Sequence, residues 1–177
     1  HSQSVSEDPV NDMIAFADAG ITTFDCADIY TGVEDAIGAF RDTYLRLRGI
    51  EALARIRVHT KFVPDLAVLP RIDKAYVTNV IDTSLRRLRM ERLDIVQFHW
   101  WNIDVPRWIE TALWLEDLRR EGKLLRIGGT NFDTSQVMAM RDAGVPVSSM
   151  QVQYSLLDRR PEKTLITAAR ENGIAIF

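Results

Sequence analysis

Asp25, Lys61, His99, Asn131 and Gln151 each close an apolar run rich in β-branched or aromatic residues, and Tyr30 follows Asp25 in the first connection. A phenol loses its proton near pH ~10 in water, so it is a poor donor at neutrality unless a cation stands beside it. Lys61 can supply that cation, Asp25 can fix and neutralise the lysine from behind, and His99 can hydrogen-bond a carbonyl oxygen. The set suits protonation of an alkoxide as it forms, hence carbonyl reduction. No side chain gives hydride, so a nicotinamide cofactor is implied. Asn131 and Gln151 each pair a donor with an acceptor and can clamp a carboxamide. Singly, each residue has a plainer reading: Asp25 a helix cap, Lys61 a solvated strand end, Gln151 a satisfied core amide. A ring of them implies a shared site, because buried polar groups are paired.

The elements that must carry these residues alternate along the chain. Strands are expected at 21–25, 56–62, 94–99, 124–128, 150–154 and 174–177. Helices are expected from Asp8-Pro9 to Gly20, then at 34–48, 71–88, 105–121, 133–141 and 162–171. Within the second, Ile37, Phe40, Tyr44 and Leu47 form the apolar stripe. Such alternation with short connections implies a parallel sheet, and the C-terminal ends of barrel strands are where catalytic groups collect. We expect a single partial domain over 1–177: a (β/α)8 TIM barrel, incomplete, with about six parallel strands. Its first strand would lie upstream and its last two units beyond Phe177. An open doubly wound sheet is the other possibility, although no Gly-x-Gly-x-x-Gly follows a strand.

Composition narrows the function classes. The 177 residues are 46% hydrophobic and 27% charged, with net charge −3. No basic stripe suits nucleic acid and no polybasic patch suits a membrane surface. No apolar run approaches the ~20 residues of a membrane span. Cys26 is the only cysteine, which excludes an internal disulfide and makes a reducing cytoplasm the expected home. His1, Ser2 and Gln3 read as a polar or cut start, which leaves room for a targeting segment upstream.

The stretches Phe-Asp-Cys-Ala-Asp-Ile-Tyr (24–30), His-Thr-Lys (59–61), Asp-Ile-Val-Gln-Phe-His-Trp (94–100), Gly-Lys-Leu-Leu-Arg-Ile-Gly-Gly-Thr-Asn-Phe (122–132) and Met-Gln-Val-Gln-Tyr-Ser (150–155) resemble the aldo-keto reductase family in order and spacing. The resemblance implies a (β/α)8 barrel that reduces aldehydes or ketones with NADP(H). It implies Asp25, Tyr30, Lys61 and His99 as the catalytic tetrad, with Tyr30 the general acid. It also implies Thr130, Asn131 and Gln151 as contacts to the nicotinamide amide. Cys26 stands where the family usually has threonine or serine, and Thr130 where serine is commoner. The family's nicotinamide-stacking aromatic and its adenosine-binding loops would fall beyond Phe177. The segment alone is therefore expected to bind cofactor weakly or not at all, and to expose two unpaired strand edges.

Trp100 and Trp101 follow His99 and suit a flat wall against substrate, with plain packing an equal reading. His59 shares the strand face of Lys61 and reads as a core histidine. Glu34 suits bracing of the Tyr30 loop as well as helix capping. Arg86, Arg87, Arg89 and Arg92 read as a solvated helix end. Three rival functions stand beside the reductase. A metal-dependent hydrolase would draw on Asp25, Asp28, His59 and His99. A Schiff-base lyase would use Lys61 as nucleophile. The third is a cofactor-sensing or inactive truncated barrel without turnover.

Overall fold

Asp8 and Pro9 start a helix for the reasons their chemistry supplies. A computed structural model describes residues 8–177; His1, Ser2 and Gln3, the polar start, lie outside the described residues. The Asp8 carboxylate accepts from the Asn11 N–H at 3.0 Å, and Pro9 takes the first helical turn, where no backbone donor is needed. This helix, α1 (Pro9–Asp18), buries Ile14 and Ala17 and leads into β1 (Thr23–Asp25). The chain continues through α2 (Val33–Arg48), α3 (Ile50–Leu53), β2 (Arg57–Phe62), α4 (Lys74–Leu88) and β3 (Leu93–Phe98). After these come α5 (Trp108–Arg120), β4 (Leu124–Thr130), α6 (Thr134–Asp142), β5 (Val147–Gln151), α7 (Leu165–Glu171) and β6 (Ala175–Ile176).

The six strands form one sheet in chain order, and every neighbouring pair is parallel. The sheet is not flat. His59 on β2 and Phe177 just past β6 have ring centroids 5.3 Å apart. Four strand spacings of ~4.8 Å separate β2 from β6, so in a flat sheet these rings would lie ~19 Å apart. The sheet therefore curls as an incomplete (β/α)8 barrel, with β1 and β6 each leaving one edge unpaired among the described residues. Its outer face buries Val58, Phe62, Val96 and Phe98 against Val77, Ile81, Leu88, Leu115 and Leu118 of the helices.

Several boundaries differ from the expected ones. Ile21 lies outside β1 and is 54% exposed, because the strand is an edge and only Phe24 packs against the helices, on Phe40 at 4.9 Å. Leu47 is exposed; the stripe of Ile37, Phe40 and Tyr44 ends at Arg48, whose guanidinium binds Asp18 of α1 at 2.7 Å. β5 begins at Val147 and ends at Gln151, not at Tyr154. Two serines disguise it, yet Ser148 donates to the Ile127 carbonyl at 2.9 Å within the sheet. α4 starts only at Lys74, because Asp73 caps it by accepting from Tyr76 N–H at 2.8 Å.

One glycine fixes how closely two helices approach. A Cβ on Gly38 of α2 would lie 2.1 Å from the Arg87 carbonyl oxygen of α4, so the backbones touch at this crossing. Gly38→Ala should destabilise the chain by about 1–3 kcal/mol, since neither backbone can yield as a side chain would. A lowered urea midpoint with an unchanged slope would show it; an unchanged midpoint would mean that the crossing is loose.

Candidate active site

Along β2, alternate residues face opposite sides of the sheet, so Lys61 shares the inner face with His59 while Thr60 meets the helices. Lys61 is only 7% exposed. Its ammonium donates to Asp25 Oδ2 at 2.5 Å and to the Cys26 carbonyl at 3.0 Å. The second oxygen of Asp25 accepts from Gln97 Nε2 at 2.8 Å. Register explains the cluster: Asp25 pairs with His59 across β1 and β2, and Lys61 with Gln97 across β2 and β3. A cation removed from water persists only where acceptors surround it, and here both come from the end of β1. The Lys61 nitrogen lies 5.6 Å from the Tyr30 ring centroid. Tyr30 is half-exposed, so its phenol stands open to a ligand while its ring faces a fixed positive charge.

His99 follows β3 directly, and its Nδ1 lies 3.3 Å from the Thr130 carbonyl. A carbonyl only accepts, so Nδ1 carries the hydrogen in that contact. Nε2 then donates to a ligand in the imidazolium form, or in the neutral form once the Thr130 contact is released. Trp101 stands edge-on to His99 with centroids 4.8 Å apart, and its indole N–H donates to Pro64 O at 2.7 Å. Trp100 corrects the expected pair: it is buried against Phe98, and its N–H donates to Val105 O at 3.1 Å. Past the strand end the two neighbours diverge, and only Trp101 reaches the site.

Thr130 ends β4 and Gln151 ends β5, and the two are register partners. Asn131 adopts a left-handed backbone with φ +60°, which asparagine tolerates, and its N–H donates to Gln151 O at 3.0 Å. The Thr130 hydroxyl is buried without a hydrogen-bond partner, an orphan that suits a polar ligand group. A cavity of about 850 Å³ opens beside Asn131, between Phe132, Met138, Arg160 and Leu165. Tyr30, Lys61 and His99 do not line it; Lys61 lies on the inner face of the curled sheet, His99 just past β3 and Tyr30 in the connection after β1.

Gln97 was not among the expected site residues. Its signal was a fully buried polar residue inside an apolar run, in phase with His99 two positions on. Arg87 is exposed, as expected of a solvated helix end, and it also reaches the buried Glu34 at 3.5 Å. Burial pushes the Cys26 thiol up to about 12, so it packs as an inert group. Burial likewise lowers the His59 pKa, in keeping with a core histidine. Among the described residues no three His, Cys, Asp or Glu side chains group to hold a metal ion.

Asp28 is the most perturbed carboxyl. Burial raises its pKa from 3.8 to about 7, against the opposing bonds from the Val63 N–H. A folded-state pKa above the unfolded value means that the folded chain holds the extra proton between pH ~4 and ~7. Stability from this group is therefore present at acid pH and falls as pH rises through that window. Asp28→Asn removes the penalty, so it should stabilise the chain at pH ~8 by up to a few kcal/mol, at ~1.4 per pKa unit, and little at pH ~3. Chemical denaturation at both pH values checks this, and an equal effect at both would contradict it.

Comparison with known proteins gives this geometry its context. The model of the Aldo/keto reductase family matches residues 1–177. The NADH-specific methylglyoxal reductase of Escherichia coli (strain K12) is 30% identical over 118 residues, covering 64% of this chain and 35% of that protein. The chloroplastic pyridoxal reductase of Arabidopsis thaliana is 32% identical over 172 residues, covering 89% and 46%. A crystal structure of an aldo/keto reductase from Klebsiella pneumoniae, in complex with NADP and acetate, superposes with a TM-score of 0.77 at 28% identity, covering 96% of this chain and 56% of that one. The chain thus spans about half or less of the length of these curated relatives. The full-length family match, joined to the parallel strands and the residues at their tips, shows that the chain belongs to the aldo/keto reductase family.

Proposed function

We propose that this chain carries the proton-donating machinery of an NADPH-dependent reductase of small aldehydes or ketones, with Tyr30 as general acid. The observation that carries this reading is the nearly buried Lys61 ammonium, bonded to Asp25 at 2.5 Å and 5.6 Å from the ring of an accessible tyrosine. A bound nicotinamide supplies the hydride that no side chain can give. The chain's own residues manage the charge that develops on the carbonyl oxygen. Tyr30 donates its O–H to that oxygen and yields the proton as the alcohol forms. Lys61 stabilises the phenolate left behind, and Asp25 keeps the ammonium in place as the charge appears. His99, at the neighbouring strand tip, orients the carbonyl through Nε2, and the half-exposed Trp101 offers an apolar wall for the substrate. Thr130, Asn131 and Gln151 would hold the carboxamide of the cofactor, a reading supported by the orphan Thr130 hydroxyl. The Klebsiella relative, solved with NADP, favours NADPH; the Escherichia coli relative is by name NADH-specific.

Two rivals find less support. A Schiff-base nucleophile must be a neutral amine, whereas Lys61 is committed as a cation to Asp25 and the Cys26 carbonyl. A hydrolase lacks a grouped ligand set among the described residues. A cofactor-binding barrel without turnover is the second reading.

The test is a fluorescence titration with NADPH of this chain and of a version extended to eight strands, followed by loss of NADPH absorbance when the extended form meets a simple aromatic aldehyde. In the extended form Tyr30→Phe should leave NADPH affinity unchanged and lower kcat by ~100-fold or more, the usual worth of a positioned acid. Binding without turnover in the extended form would favour the second reading. Absence of binding by both forms would contradict both.

A further inference from the structure

Tyr30 sits in a connection, where chains are ordinarily most mobile, so its ring must be set against Lys61 by its neighbours. We infer that Asp28 and Glu34, bridged by Arg87, form a bracket that locks the Tyr30 loop onto β2 and act as positioning residues for Tyr30. Its catalytic meaning rests on the reading of Tyr30 given above; its geometry does not.

The two acids flank Tyr30 in the chain, and their partners on the β2 side flank Lys61. Glu34 Oε1 accepts from Thr60 Oγ1 at 2.7 Å, one residue before Lys61. The Asp28 carboxylate accepts from the Val63 N–H at 3.2 and 3.3 Å, two residues after it. Arg87 of α4 spans the pair, with Nη1 3.5 Å from Glu34 Oε2 and 3.3 Å from the Asp28 carbonyl. The main chain adds Cys26 N–H to His59 O at 2.8 Å and Asp28 N–H to Lys61 O at 3.2 Å. Between these anchors the loop closes on itself, with Tyr30 N–H donating to Ala27 O and Val33 N–H to Tyr30 O, both at 3.1 Å.

Glu34 is 1% exposed in the first turn of α2 yet makes no cap there; the N-cap is Gly32, with no side-chain bond. Its carboxylate turns to β2 instead, which settles bracing over capping. An ion pair with one exposed partner is a weak device for stability, since solvent screens it. It is a strong device for holding one geometry, because its hydrogen bonds admit few alternatives. Gly38, one turn further along α2, lets that helix meet the Arg87 backbone closely, which sets α4 beside Glu34.

Fluorine NMR of the chain labelled with fluorotyrosine tests this without cofactor or substrate. The four tyrosines, Tyr30, Tyr44, Tyr76 and Tyr154, are assigned by single changes to phenylalanine. Glu34→Ala should shift and broaden the Tyr30 line while those of Tyr44 and Tyr154 stay in place. Thr60→Val should do the same to a lesser degree, and Glu34→Gln, which keeps the acceptor for Thr60, should restore most of the narrow line. An unmoved Tyr30 line in both Glu34→Ala and Thr60→Val would overturn the bracket. So would equal changes at Tyr44 and Tyr154, which mark general loosening. Should Glu34→Ala not fold, Thr60→Val decides alone. The expected shifts, beside a form extended to eight strands that reduces no carbonyl, would sink the reductase reading and leave the bracket standing.

Discussion

Lys61 is a cation held almost out of water, and much of the site follows from the need to compensate it. An uncompensated buried charge would destabilise the fold by several kcal/mol, so its partners are not optional. Asp25 supplies the opposite charge, the Cys26 carbonyl a second acceptor, and Gln97 holds the far side of Asp25. These groups come from β1, β2 and β3, which only a parallel ladder in this register brings side by side. The ion pair therefore ties the chemistry to the topology.

The curl of the sheet supplies the second requirement. A flat sheet would spread the strand tips along a line, whereas the bend that brings His59 to Phe177 turns them toward a common space. Tyr30 approaches Lys61 from the β1 connection, and His99, just past β3, meets Trp101 and the Thr130 carbonyl at the end of β4. The polar tips answer to the site; the apolar residues between them answer to the helices. That division lets one short strand such as β2 carry Lys61 on one face and Phe62 on the other.

Much of this was legible in the sequence because a strand that stops at a polar residue leaves a plain mark. Asp25, Lys61 and His99 could be picked out in this way, and the alternation of elements gave the parallel sheet. Gln97 escaped because it lies inside its strand, where polarity looks like an exception and not an end. Ser148 and Ser149 hid the start of β5 for the same reason. Trp100 and Trp101 were inseparable, since alternation no longer dictates direction once the strand has ended. Glu34 had two sound roles on paper, and only the positions of Thr60 and Arg87 choose between them. Arg87 looked like a solvated helix end because its partner lies in a distant part of the chain. Contacts between distant segments are what local patterns do not record.

The central claim is that the Lys61 charge lets Tyr30 protonate a carbonyl reduced by nicotinamide. The most direct test is deuterium transfer from NADPH, labelled on its reduced ring, to the carbonyl carbon of an aldehyde. Mass spectrometry of the alcohol would compare the chain extended to eight strands with its Lys61→Met variant. The account predicts labelled alcohol from the former and at most a trace from the latter. No label from the extended chain, or equal label from both, would contradict it.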